Sequence, residues 1–204
     1  PFDECLRYDE QFRTLVYAAV EGDPGPGVED AKLTLSWQRQ HERRTRDRPG
    51  SFTVNGGRDD VDTFGAAARA RTPSWELSPG YSMGLRYGAD AYHDSVQSVA
   101  WIIFEDFDPD VVRLRSRGQY LDGATYTWGG VWAEAETILA DTVVVRAGGR
   151  ASHIAAAAPG DEESGSASVD RNWQSVVGNA GAEWWITDEL TALVSVDQGF
   201  RAPN

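Results

Sequence analysis

Runs of alternating apolar and polar residues, joined by connections that are short and long in turn, constrain this 204-residue chain more than any other feature. The clearest run is Tyr81 to Val96: Tyr81, Met83, Leu85, Tyr87, Ala89 and Ala91 take one face, and Ser82, Gly84, Arg86, Gly88, Asp90 and Asp94 the other. Leu33, Leu35 and Trp37 oppose Thr34, Ser36 and Gln38 in the same way, as Val131, Ala133 and Ala135 oppose Glu134 and Glu136. Period 2 is the signature of a strand with two unlike faces. Eight segments follow it, and none carries a helical stripe. The first, Phe12 to Val20, alternates poorly and fits either face.

The connections decide between architectures. Ala140-Asp141-Thr142 and Thr187-Asp188-Glu189 are short, and Glu21 to Asp30 and Thr72 to Gly80 are moderate and rich in Gly and Pro. Between them lie long polar stretches, Arg43 to Arg58, Gln97 to Thr125 and His153 to Trp173. A sandwich has the same solvent at both ends and no reason to alternate loop length. A membrane barrel has short turns on one side and long loops on the other. Several runs also reach the roughly 9 to 11 residues that cross a bilayer at a tilt. Trp37, Tyr81, Trp128, Trp132, Trp184 and Trp185 near strand ends suit interfacial girdles. The pattern predicts an all-β, antiparallel up-and-down meander of about eight long strands, with the long loops outside the cell. A secreted or surface β-sandwich or small closed barrel is the competing architecture.

A net charge of -13 argues against nucleic-acid binding, which needs a basic face to neutralise phosphates. Cys5 is the single cysteine, so no internal disulfide and no Cys-rich metal site can form. It is either an unpaired thiol or the partner of a cysteine elsewhere in a longer protein. No nucleophile elbow, phosphate loop or metalloprotease helix is present, and Asn55-Gly56-Gly57 reads as turn chemistry. No catalytic residue, cofactor or protein-bound metal is expected.

The ordered set Leu85-Arg86-Tyr87-Gly88-Ala89-Asp90-Ala91-Tyr92-His93-Asp94, Gly130 to Glu136, Val145 to Arg150, Val177 to Trp184 and Gly199-Phe200-Arg201-Ala202-Pro203-Asn204 resembles the barrel of TonB-dependent outer-membrane receptors. The resemblance covers most of residues 1–204. It implies part of a larger transmembrane barrel of about 22 strands, surrounded by outer-membrane lipid in a bacterium. It further implies a plug domain inside the barrel and a TonB-box, both outside this sequence, and uptake of a scarce nutrient. The expected cargo is a small-molecule metal chelate, a ferric siderophore first, with haem or cobalamin as alternatives. Because the sequence stops inside a motif, it is expected to be a piece of a longer protein with two unpaired edges, at Phe12 to Val20 and Leu190 to Phe200.

Tyr120, Tyr126, Trp128 and Arg201 are the expected ligand contacts, because an aromatic and cationic rim suits an anionic chelate. His41, His93 and His153 are expected at the outer mouths of rising strands, as polar surface before metal ligands. Glu105, Asp106, Asp108 and Asp110 read as a solvated loop before a calcium site, since they lack the glycine turn and terminal glutamate of an EF-hand. Asp161-Glu162-Glu163 reads as flexible loop. Glu134 and Glu136 are expected to pair across strands with Arg146 and Arg150, or to touch the plug.

Overall fold

The computed structural model describes residues 5–48, 50–104, 108–115 and 118–202, with only the backbone described at 108–111. Ten strands form one antiparallel sheet: β1 (Cys5–Gly22), β2 (Asp30–Asp47), β3 (Thr53–Arg71), β4 (Trp75–Ser78), β5 (Tyr81–Phe104), β6 (Asp108–Arg115), β7 (Thr125–Leu139), β8 (Val143–Ala158), β9 (Val169–Trp185) and β10 (Thr191–Asp197). The expected eight-strand meander is the main path, β1-β2-β3-β5-β7-β8-β9-β10. The two further strands are short and both pair with β5. β4 takes over the lane of β3 below Arg86, and β6 runs along Ala100 to Phe104 in the lane that β7 leaves at Ser95.

Loop lengths depart from expectation. Most of Arg43 to Arg58 and His153 to Trp173 is strand, and the outer link at 48–52 is shorter than the inner one at 23–29. The asymmetry resides in the strands. β5 is 24 residues long, more than twice what a bilayer crossing needs. Polar residues above the membrane keep their partners by continuing the ladder instead of looping out, because every backbone group still finds a hydrogen bond there. Asn55-Gly56-Gly57 is for the same reason part of β3 and not a turn, with the indole of Trp101 laid over Gly56. β1 likewise reaches well beyond its expected bounds.

The sheet has a single layer, so its faces show which solvent each one meets. One row, Val20–Leu33–Ala68–Ala89–Val131–Ala151–Val176, crosses seven strands in register and is wholly apolar. Yet Leu33 is 49% exposed, Val131 58% and Val176 78%. Among the described residues the buried apolar side chains are Val54 and Val144 alone. A water-soluble sheet buries its apolar face against a second layer. This one presents that face outward, as a wall standing in hydrocarbon does. From Tyr81 to Ala91 the apolar positions of β5 occupy about 11 residues, one bilayer crossing. Above Phe64 the same face turns polar. Asp62 there accepts the Trp37 indole N–H at 3.0 Å and pairs with Arg39 at 2.5 Å. That change of chemistry marks the upper edge of the membrane belt.

β1 and β10 are the unpaired edges among the described strands, as expected. Between β7 and β8 the turn is tight: Ala140 and Asp141 both have positive φ, 50° and 57°, and Thr142 N–H returns to Leu139 C=O at 3.2 Å. That turn sets Leu139 opposite Val143 and therefore Glu136 opposite Arg146.

Candidate functional site

The second face is polar and faces the barrel interior. Its lower half is an ion-paired ladder. Glu136 accepts from Arg146 Nε at 2.7 Å and from Arg86 at 2.5 Å, so one carboxylate ties β5, β7 and β8 together. Arg146 reaches on to Glu183 of β9 at 3.5 Å. Glu134 lies 3.9 Å from Arg86 and accepts the Asn179 amide at 3.3 Å. The expected pairing therefore holds for Glu136 with Arg146, while Arg150 selects a different partner. It crosses the lane of β7 and grips Asp90 of β5 with two bonds of 2.7 and 2.8 Å. Gly130 makes this crossing possible, because a Cβ there would come within 3.0 Å of the guanidinium.

Since the partners are partly exposed, the ladder contributes modestly. Glu136→Ala is expected to cost about 1 kcal/mol, more at low salt than at high. Urea unfolding in lipid vesicles at two ionic strengths measures it. An unchanged midpoint at both would refute the ladder as a stabilising element.

Above the ladder stands an aromatic cluster. Tyr92 of β5 and Trp128 of β7 are register partners and stack with ring centroids 5.1 Å apart, and Tyr126 tilts against Trp128 at 5.4 Å. Tyr92 leans over Gly65, where a Cβ would meet its ring at 2.7 Å. Trp132 lies over Gly88 in the same way, at 2.8 Å. Glycines on the neighbouring lane thus let large rings lie flat along the wall. Trp128, Trp132 and Trp185 are on this interior face and not in an outer girdle, a correction that follows from strict alternation. Trp37, Tyr81 and Trp184 are on the outward face.

Of the four expected ligand contacts, the structure brings Tyr126 and Trp128 together. Tyr120 is 46% exposed on the segment 118–124, which is strapped to β5 by Gly123 N–H to Val96 C=O at 3.0 Å and Ser98 N–H to the Asp122 carboxylate at 2.9 Å. Arg201 follows β10, three lanes from β7, or about 14 Å at the usual strand spacing. Tyr92 was not among the expected contacts. Its register with Trp128 depends on a connection of 20 residues, 105–124, from which no local rule reads a pairing.

The histidines stay apart. His41 is buried midway up β2, between Asp60 at 2.7 Å and Glu10 at 3.3 Å, and stacks on Phe12 at 4.6 Å. His93 contacts the Thr127 hydroxyl at 2.7 Å, and His153 is within β8. Continued strands place all three below the mouths where they were expected. Among the described residues no three His, Cys, Asp or Glu side chains are grouped to hold a metal ion. Glu105 and Asp106, and the side chains of Asp108 and Asp110, lie outside the described residues. Asp161 to Glu163 form a hairpin tip closed by an Asp161–Ser166 bridge, and Glu163 meets Arg115 of β6 at 3.4 Å.

The family model for the TonB dependent receptor-like β-barrel matches residues 6–204. No curated protein matches the sequence. Among solved structures the fold is similar to one titled "Copper transporter OprC", with a TM-score of 0.71 at 14% identity over 90% of this chain. The chain spans 29% of that transporter's length. The inverted faces, the overshooting strands and the matched model lead to one assignment: the chain belongs to the TonB-dependent receptor family, as a run of strands from its outer-membrane β-barrel.

Proposed function

We propose that these strands are part of the wall of a receptor that takes up a scarce nutrient across the outer membrane, with a ferric siderophore as cargo and haem or cobalamin as the alternatives. The observation that carries this reading is the interior cluster of Tyr92, Trp128 and Tyr126, whose flat rings offer apolar faces inside an otherwise charged wall. A metal chelate presents planar or apolar ligand arms that such faces hold by stacking. The copper transport named for the structural neighbour supports a metal-bearing cargo. In the assembled receptor the ion-paired lower wall would face the plug, and TonB would supply the energy through the plug side. Tyr120 and Arg201 would close on the cargo from the 118–124 strap and from the end of β10.

The test is uptake by cells that express the full-length receptor and lack other routes for iron. Trp128→Ala is expected to lower ferric-siderophore uptake about twofold to twelvefold, the 0.5–1.5 kcal/mol of an aromatic contact, at unchanged receptor level. Undiminished siderophore uptake with reduced haem or cobalamin uptake would move the cargo to that compound. Unchanged uptake of all three would remove the cluster from the ligand path.

A further inference from the structure

We infer that the outward wall over β8 carries a binding groove for one glycolipid of the outer leaflet, with an acyl chain laid along Gly149 and Ala151 and an uncharged sugar head held at His153 and Gln174. The groove belongs to the lipid-facing side and is independent of the cargo path.

The polar boundary of the outward face locates it. Counted up each strand from the apolar row, the first polar outward residue on β3 is Asp62, six residues above Ala68. On β5 and β7 it is His93 and Thr127, four residues above Ala89 and Val131. On β8 and β9 it is His153 and Gln174, two residues above Ala151 and Val176. From β3 to β9 the boundary therefore steps down four residues over four lanes, about 13 Å of strand against about 19 Å of sheet. Those lengths give an angle of about 35°, the tilt of strands in an outer-membrane barrel. The lower limit shifts the same way: apolar positions end at Ala70 on β3 but continue to Trp184 on β9. A boundary slanted on the strands is thus level in the membrane, and His93, Thr127, His153 and Gln174 all stand at its upper surface.

At this line lies an open groove of about 680 Å³. Gly129 opens it, because a Cβ there would fall 2.4 Å from the Asp90 carbonyl oxygen, and its register partner Ala91 is small. Below the line the sides of the groove are Val131 and Val176. Above it β8 offers Ala155 and Ala157 as a floor, between Thr127 and Thr125 on β7 and Asn172 and Asp170 on β9. One trough thus changes from apolar to hydrogen-bonding along its length, as an acyl chain joined to a polar head does. His153 and Gln174 stand opposite each other at the change. Among the described residues neither has a side-chain hydrogen bond or ion pair, nor has Asn172 or Asp170, whereas His93 is already held by Thr127. Polar groups at the edge of hydrocarbon require partners, and the head of a seated lipid supplies them. From the line upward the outward face of β7, β8 and β9 carries one carboxylate, Asp170, and neither lysine nor arginine. A phosphate head would meet no cationic fork there and one repelling charge. Sugar hydroxyls donate to the carboxylate and accept from the amide and imidazole N–H groups. The occupant is therefore an acylated, uncharged sugar.

Native mass spectrometry of the whole receptor, delipidated and then titrated with glucosyl diacylglycerol or with phosphatidylglycerol of the same chains, tests the groove. The glucolipid is expected to be retained at a concentration at least fivefold lower than the phospholipid. His153→Leu with Gln174→Leu should weaken its retention at least fivefold and leave phosphatidylglycerol unchanged. Leucine suits a lipid-facing wall, so this variant is expected to assemble like the parent, which heat-modifiable gel mobility reads. Ala155→Phe fills the floor without removing a polar group and should weaken the glucolipid equally. Ala66→Phe, on the same face three lanes away, should leave it unchanged. Equal glucolipid retention in the parent and the two groove variants, or equal loss in Ala66→Phe, would overturn the groove. Phosphatidylglycerol held as tightly as the glucolipid and lost in the same variants would overturn the uncharged head.

Discussion

Val131→Arg is expected to remove most of the full-length receptor from the outer membrane. Val131 is 58% exposed in the middle of the apolar row, between Ala89 and Ala151. On a soluble domain an exposed valine tolerates arginine at little cost. On a barrel wall the same guanidinium must sit at mid-bilayer, which costs about 2–4 kcal/mol. That penalty corresponds to a fall of roughly 30-fold to 700-fold in the folding equilibrium at 1.4 kcal/mol per decade. Trp132→Arg, one residue on, reverses the face and should be far milder, because the interior wall already carries Arg150 beside it. Heat-modifiable mobility in isolated outer membranes reads both. Equal assembly of Val131→Arg and the parent would refute lipid contact on this face and restore the competing sandwich.

Gly88→Val should break the wall by sterics instead of solvation. A Cβ at Gly88 would fall 2.5 Å from the Ala68 carbonyl oxygen and 2.8 Å from the Trp132 ring. The ring can rotate away, but the carbonyl belongs to the β3 backbone and cannot. Strand β5 must then separate from β3, and Trp132 must also leave its place over the glycine. Overpacking of this kind costs about 1–3 kcal/mol, and valine adds two methyl groups to the clash. Gly84→Val is the control, because nothing lies within 4 Å of a Cβ there. Urea midpoints in lipid vesicles should fall for Gly88→Val and stay near the parent for Gly84→Val. Matching midpoints would show that the two lanes can part freely at this point.

Face assignment is legible in the residue order alone, and for a definite reason. Alternation has period 2, so once Leu85 and Tyr87 face lipid, Arg86 and Gly88 must face the interior whatever the partner strand does. Position along the strand is a poorer guide. Trp128 and Trp132 suit an outer girdle by their size and their place near a strand end, yet their parity puts them inside. Parity outweighs side-chain type, because moving one residue to the other face would turn the whole strand over.

Short turns make some contacts legible as well. The three residues Ala140-Asp141-Thr142 close β7 onto β8, so the pairing of Glu136 with Arg146 follows from counting away from the turn. The preference of Arg150 for Asp90 does not follow, because β7 and β5 are joined through a connection of 20 residues with its own strand. Loop closure depends only weakly on length, so a long connection leaves the register open and packing on the wall selects it.

By itself the sequence determined an all-β meander with eight main strands, one apolar and one polar face, and unpaired edges at both ends. These are local properties, carried by residue parity and by turns of a few residues. Only the tertiary structure decided that the strands continue far beyond the membrane belt, that Tyr92 stacks on Trp128, and that Ala91, Gly129 and Gln174 border one groove. Each of those depends on which residue stands opposite which across strands distant in sequence. That choice is made by the sum of many cross-strand contacts, and no single stretch of the chain contains it.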